Sequence, residues 1–329
     1  MAPSVSDVRP YVRPWWYRGR HLQTLWGPLL RRGRTPALRR ERVETPDRDF
    51  VDLDWLAGRD RGAPLVIILH GLEVSSRSHY VSGLLRELEQ VGWRGLVVNF
   101  RSCGGEVNRS RRMYHSGDTE DLEFVISRLT AREPNLRLGL VGVSLGGNVA
   151  LKWLAERGDQ APAQVAGAVA ISTPFNLAAC AAVLDRGLNR TLYTVNFLST
   201  MKIKLDKKAQ LYEGVLDLPA ARKAKTFAEY DRLVTAPLGG FANEHDYWSR
   251  ASSGPLLPQI RRPTLLINAL NDPFMPASAL PRAAVARSRW LEAAFVAEGG
   301  HAGFLEGASG KRSWAEARAV AFLERYLVG

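Results

Sequence analysis

The chain has 329 residues, of which 46% are hydrophobic and 24% charged, and 45 lysines and arginines against 33 acids give it a formal net charge of +12. That composition excludes a disordered or collagen-like chain, and its length suits one α/β domain with an insertion. The longest apolar runs, Leu65–Leu69 and Val165–Ile171, are far too short to span a bilayer.

The start of the chain, Met1 to Asp7, has neither the basic stub nor the apolar run of a secretory leader, so a cytoplasmic location is expected. Between Met1 and Arg42 stand Arg9, Arg13, Arg18, Arg20, Arg31, Arg32, Arg34, Arg39, Arg40 and Arg42, opposed only by Asp7 and Glu41, and joined by Trp15, Trp16 and Trp26. We expect residues 1–42 to form a basic, Trp-rich extension whose arginine stems and rings lie on the core while the charges stay solvated. Peripheral contact with an anionic membrane surface is the alternative reading. No nucleic-acid motif accompanies the charge, so no nucleic-acid partner is expected.

Beyond residue 42 short apolar runs alternate with amphipathic segments, the pattern of a mainly parallel sheet covered by helices. Segments 41–45 and 50–56, joined by Pro46-Asp47-Arg48-Asp49, read as a hairpin. Further strands are expected at 64–70, 95–100, 136–142, 165–172, 263–270 and 290–296, eight in all. Helical spacing marks 78–90, 118–129, 145–156, 277–286 and 313–326. The interval 174–262 holds no clear buried strand but has helical stretches at 178–188 and 218–236, so it reads as a helical cap over the strand ends. The expected core is then 43–173 with 263–329. Cys103 and Cys180 have no metal or redox spacing and are expected to be reduced and buried; neither a metal nor a cofactor is expected.

One pentapeptide carries chemistry: Gly142-Val143-Ser144-Leu145-Gly146, between an apolar strand and a helix-forming run. This is the pattern of a nucleophile elbow, in which a strained turn pushes the serine hydroxyl out at the top of a sheet. Such a serine needs a base, and the base an orienting carboxylate. His301 follows the last strand in the glycine-rich loop Glu298-Gly299-Gly300-His301-Ala302-Gly303, where glycines give an imidazole room to swing over the sheet. Asp272, in Asn271-Asp272-Pro273, follows the strand before it; Asp246 and Glu306 are weaker acid candidates. The order Ser144, Asp272, His301 is that of α/β-hydrolases. Two N–H groups must face the oxyanion, and the backbone of Leu145 and of Leu72, in His70-Gly71-Leu72, are the candidates. His70 itself reads as a residue that orders this loop.

With these residues in view the chain resembles the YheT-like α/β hydrolases. The resemblance rests on Trp15-Trp16 with His21-Leu22-Gln23-Thr24-Leu25, on His70-Gly71-Leu72-Glu73, Asn99-Phe100-Arg101 and Tyr114-His115-Ser116-Gly117-Asp118, and on Gly142 to Asn148, Tyr230-Asp231, Asn271-Asp272-Pro273-Phe274 and Gly300-His301. Val74 stands where the family often has glycine. The resemblance implies an α/β-hydrolase fold with an eight-stranded, mostly parallel sheet and a helical cap insertion. It also implies a carboxylic ester hydrolase using Ser144, Asp272 and His301 on a small-molecule ester, and the apolar residues of the expected cap, among them Leu177, Leu184 and Phe197, suggest an apolar acyl part of short to medium chain or lipid-like kind. An acyltransferase with the same triad and a non-catalytic lipid-surface protein are the alternatives. Arg101, Tyr114, His115 and Asp118 are expected near the strand ends, in packing and loop hydrogen bonds rather than substrate binding.

Overall fold

The computed structural model describes residues 9–31 and 33–328. Arg32 and the start of the chain, Met1 to Asp7, lie outside the described residues.

Each expected strand forms. β1 (Arg39–Glu44), β2 (Phe50–Leu56), β3 (Leu65–Leu69), β4 (Arg94–Asn99), β5 (Leu138–Val143), β6 (Val165–Ile171), β7 (Thr264–Ala269) and β8 (Leu291–Val296) make one sheet in the order β1-β2-β4-β3-β5-β6-β7-β8. β2 runs antiparallel to both its neighbours and the rest of the sheet is parallel. Its central strands are apolar on both faces because helices cover both. In β3, Leu65, Ile67 and Leu69 pack with α3 (Glu120–Arg132) and α4 (Leu145–Arg157), while Val66 and Ile68 pack with α2 (His79–Val91) and the last helix, Trp314–Leu327. Each fully buried side chain of this size contributes roughly 1.5–3 kcal/mol, so the sheet is a stiff platform for whatever its loops carry.

The structure departs from expectation in four places. Segment 277–286 is not one helix: Pro281 separates a short 3₁₀ turn, Ala277–Ala279, from the helix Arg282–Arg287. Segment 218–236 is also broken. The helix Leu218–Lys223 ends in extended backbone at Ala224, and Thr226 then caps a new start by accepting from the Glu229 N–H. A two-stranded ribbon, β9 (Leu305–Glu306) with β10 (Arg312–Ser313), was not expected at all.

The largest departure is in the N-terminal segment, which is structured rather than merely draped. Arg20–Leu30 is a helix, α1, despite Pro28 inside it. Arg18, Arg20, Arg34 and Arg39 are exposed, as expected, but several of the arginines are also paired. Arg31 makes a two-pronged ion pair with Glu316, with side chains only 3% and 4% exposed. Arg13 pairs with Glu298 and Arg34 with Glu89. On the β1–β2 ladder Arg40 lies opposite Asp54 and Arg42 opposite Asp52, at 2.7 and 2.8 Å.

Among the described residues 174–262 are all helix and loop, and they have a core of their own. Leu184, Tyr193, Leu205, Tyr212, Tyr230 and Trp248 are among its buried members. No helix among the described residues is long and apolar enough to cross a membrane.

Candidate active site

Ser144 sits between β5 and α4 with φ 55° and ψ −122°, a conformation that a side chain rarely adopts. The turn is tight enough to require both flanking glycines. A β-carbon on Gly142 would lie 2.3 Å from the Gly146 carbonyl oxygen, and one on Gly146 would lie 2.3 Å from the Leu69 carbonyl oxygen. The serine N–H is fixed on the Ile171 carbonyl at 2.8 Å. Sequence thus dictates the strain, and the strain dictates where the hydroxyl points.

Asp272 and His301 converge on that hydroxyl. Asp272 Oδ2 lies 2.9 Å from His301 Nδ1, and His301 Nε2 lies 2.9 Å from Ser144 Oγ. A carboxylate oxygen only accepts, so Nδ1 carries the proton and Nε2 is free to accept from the serine. The other carboxylate oxygen accepts from the Phe274 N–H at 2.8 Å, and the Phe274 ring stacks on the imidazole with centroids 4.0 Å apart. The Asp272 side chain is 1% exposed and that of His301 11%. Asp246 and Glu306, the weaker acids, lie elsewhere: one is on helix Glu244–Ala251, the other on β9.

Sequence reasoning missed what holds His301. Gln23 of α1 is fully buried; its Oε1 accepts from Asn271 Nδ2 at 2.8 Å and from the Gly299 N–H at 3.1 Å, while its Nε2 donates to the Tyr17 carbonyl at 2.8 Å. Thr24 Oγ1 accepts from the His301 N–H at 3.0 Å and donates to the Arg20 carbonyl. Ser172, just past β6, accepts from the Ala302 N–H at 2.9 Å. The loop glycines therefore serve close approach rather than imidazole freedom. A β-carbon on Gly303 would stand 2.2 Å from the Gln23 carbonyl oxygen, and one on Gly300 would stand 2.8 Å from Gln23 Cβ and Thr24 Oγ1. The only available signal was the run His21-Leu22-Gln23-Thr24-Leu25, whose spacing says nothing about partners far along the chain.

The loop after β3 is fixed on both sides of Leu72. Gly71 N–H donates to Tyr80 Oη and Glu73 N–H to Tyr114 Oη, both at 2.9 Å. Tyr114 Oη donates in turn to Glu73 Oε1, which Lys204 Nζ also meets at 2.8 Å. The N–H groups of Leu72 and Leu145 have no acceptor among the described residues, and both residues line the cavity that contains Ser144 and His301. His70 is fully buried and its Nε2 accepts from the Phe100 N–H at 3.1 Å, so its Nδ1 carries the proton and donates to the Gly71 carbonyl at 2.8 Å. Burial holds its pKa down at about 4, which keeps it neutral in this ordering role.

Of the other residues near the strand ends, Arg101 is buried between Asp121, Asp47 and Asp49, and Asp118 pairs with Arg112. Tyr114 and His115 do reach the cavity wall.

Two cavities meet at Ser144, sharing Leu72, Phe197, Phe274 and His301. One, of about 110 Å³, runs under the helical layer between Leu177, Cys180, Leu184, Met201 and Phe227. Asp231 lies on its wall, accepting from Trp248 Nε1 at 2.8 Å and from Thr235 Oγ1, and burial raises its pKa to about 7. The other, of about 520 Å³, opens between α1 and α2. Among the described residues no cluster of His, Cys, Asp and Glu is grouped to hold a metal ion.

This geometry agrees with what the chain resembles. A family model described as the alpha/beta hydrolase fold matches residues 64–308. The chain is 36% identical to the YheT protein of Escherichia coli (strain K12), over 93% of this chain and 91% of that one. It is 29% identical to phospholipase ABHD3 of Homo sapiens, over 93% of this chain and 75% of that one. A monoacylglycerol lipase of Saccharomyces cerevisiae is 28% identical over 78% of this chain and 58% of its own length. Among solved structures, the esterase Pf2001 of Pyrococcus furiosus superposes with a TM-score of 0.58 at 19% identity, covering 88% of this chain and 93% of that one, a likeness of fold.

Proposed function

The chain belongs to the α/β-hydrolase family, in its YheT-like branch, and acts on esters; from that premise we propose that it is a serine carboxylic ester hydrolase working through an acyl-enzyme. The observation that carries this reading is the unbroken run of hydrogen bonds, Asp272 to His301 to Ser144, at 2.9 Å and 2.9 Å.

In the proposed reaction Ser144 Oγ attacks the ester carbonyl as His301 Nε2 takes its proton, and Asp272 stabilises the imidazolium without being protonated. The oxyanion is met by the free N–H groups of Leu72 and Leu145. Collapse breaks the bond to the alcohol oxygen, which takes the proton from Nε2. Water then repeats the sequence on the acyl-serine and releases the acid. The apolar cavity beneath residues 174–262, which we take as the cap, receives the acyl chain. The relatives named phospholipase and lipase support an acyl ester as substrate. Two buried free thiols, Cys103 and Cys180, support a reducing, cytoplasmic setting.

The test is turnover of p-nitrophenyl butyrate and octanoate together with labelling by a fluorophosphonate. The wild type turns over and is labelled. Ser144→Ala loses the label and about 10⁴-fold or more of kcat. A wild type that neither cleaves these esters nor takes the label overturns the reading.

A further inference from the structure

The loop that carries one of the two proposed oxyanion donors is held on both sides of that donor, and one of the anchors is charged. Glu73 follows Leu72 with φ 58°, a conformation that a side chain rarely adopts and that its surroundings must hold. Its side chain is 4% exposed and closes a ring with Tyr114: the Glu73 N–H donates to Tyr114 Oη, which donates to Glu73 Oε1 at 2.7 Å. Tyr114 is buried and stacks on Phe100 with centroids 5.3 Å apart. With the Gly71 N–H fixed on Tyr80, the Leu72 N–H is left between two anchored residues.

A buried carboxylate calls for a countercharge. Among the described residues Lys204 supplies it, with Nζ 2.8 Å from Glu73 Oε1 and a side chain 15% exposed. Lys204 stands on the helix Val195–Lys207, so the countercharge comes from the helical layer and not from the sheet. Its Nζ also lies 3.1 Å from Cys103 Sγ and 5.4 Å from the centre of the Tyr114 ring. Burial acts to lower the Lys204 pKa, but Cys103 and Glu73 outweigh it and leave the value raised, so the ammonium keeps its charge. The second carboxylate oxygen, Glu73 Oε2, is buried without a partner among the described residues, which leaves the whole charge to Oε1 and its donors.

The pairing bears on the moment at which an ester carbonyl becomes an oxyanion. A carboxylate one residue from the Leu72 N–H opposes the developing negative charge unless it is neutralised, and a loop that slackens takes the donor off its target. Lys204 lines neither cavity at Ser144, so any influence it has on the reaction passes through Glu73. We propose that Lys204 is a positioning residue for the reaction: it neutralises Glu73 and keeps the Leu72 N–H aimed at the oxyanion without touching the substrate. The proposal rests on the ester hydrolase reading and adds to it a residue of the helical layer. Met201 and Phe197, one and two turns earlier on the same helix, line the cavity assigned to the acyl chain, so one helix both walls the acyl half and steadies the oxyanion hole.

The experiment reads the oxyanion hole apart from ordinary binding, with two ketones of the same chain length. Octyl trifluoromethyl ketone is attacked by Ser144: the bond from Oγ to the carbonyl carbon forms, the carbonyl π pair moves onto oxygen, and the serine proton goes to His301 Nε2, so the adduct holds an oxyanion in the hole. Octyl methyl ketone is too little activated to add and reports binding alone. In Lys204→Met the Ki of the trifluoromethyl ketone should rise about 10–100-fold, in step with the fall in kcat on p-nitrophenyl octanoate, while KM and the Ki of the methyl ketone stay within about threefold. The exposed variant Lys207→Met, on the same helix, behaves as wild type. Adding Glu73→Gln to Lys204→Met removes the stranded charge, so the double variant should be about fivefold or more faster than Lys204→Met alone. Should Lys204→Met not fold, Lys204→Gln goes through the same series, with the ratio of the two Ki values rising about threefold or more. Wild-type kcat and an unchanged ratio in the Lys204 variant overturn the proposal, as do equal weakening of both ketones and a double variant no faster than the single one. A wild type that neither cleaves the ester nor takes up the trifluoromethyl ketone brings down the hydrolase reading instead; one that does both, matched by its Lys204 variant, brings down only the role of Lys204.

Discussion

The sheet and the chain laid across its carboxyl edge contribute to the site in different ways. Ser144 follows β5 directly and Asp272 follows β7 by a short turn, so each side chain is carried by backbone anchored to the ladder. The N-terminal segment brings no atom into the triad, yet Gln23 and Thr24 hold the loop that carries the third member. The helical layer likewise lines a cavity and contributes no triad residue. Reacting atoms thus come from one region, and part of the precision of their placement from another.

The contrast can be pressed hardest at Asp272. Asp272→Asn keeps the shape but offers Nδ1 of His301 a donor, which favours the wrong tautomer; kcat should fall about 10³–10⁴-fold with little change in melting temperature. Measured beside it, Gln23→Leu should lower kcat by a smaller factor, about 10–100-fold, because His301 keeps both its partners while its loop loosens. It should also cost about 2–4 kcal/mol of stability, since the Asn271 amide, the Gly299 N–H and the Tyr17 carbonyl lose their buried partner. Steady-state kinetics with thermal melts checks both. If Gln23→Leu melts like the wild type and turns over like it, α1 is no brace and the contrast collapses.

The smallest effect on rate is expected at Asp231 in the helical layer, which gives a pH signature. Its folded pKa of about 7 stands above the ordinary carboxylate value because burial penalises the charge. Between the two values the folded state holds a proton that the unfolded chain has released. Stability from this group is therefore full below about pH 4 and is lost as pH rises through about 7. Asp231→Asn removes that slope, so its melting temperature relative to wild type should rise from about pH 5 to about pH 8, with kcat within a few-fold. A difference that stays flat over this range would show Asp231 ionised throughout.

What could be read in advance was what local rules govern. Six apolar runs and one hairpin reading gave eight strands, and Gly142 to Gly146 and Asn271-Asp272-Pro273 mark the strand ends from which Ser144 and Asp272 project. The glycines around His301 were also visible, but their purpose was not: Gly300 and Gly303 are small because α1 lies against them, and α1 is more than 270 residues earlier in the chain. Its own sequence hides it, with Gly27 and Pro28 inside the helix and arginines crowding its ends. Which of those arginines meets an acid is a tertiary fact. Arg31 finds Glu316 while Arg86, on the same cavity wall, finds only a carbonyl. Composition gave their number and could not give that difference.

The bonds that dock the N-terminal segment also set an order of events in time. Arg13 to Glu298, Trp16 to Ala308, Arg31 to Glu316 and Thr24 to His301 join residues 277 to 292 positions apart. At ordinary rates of synthesis α1 leaves the ribosome roughly 15 to 60 s before its partners exist. A nascent chain has its serine and its acid, but the base and the helix that steadies it come together only when nearly everything else has been made. On the proposed mechanism a chain halted before Glu298, lacking His301, is a scaffold without a reaction, and the order of its sequence keeps the protein inert throughout its own translation.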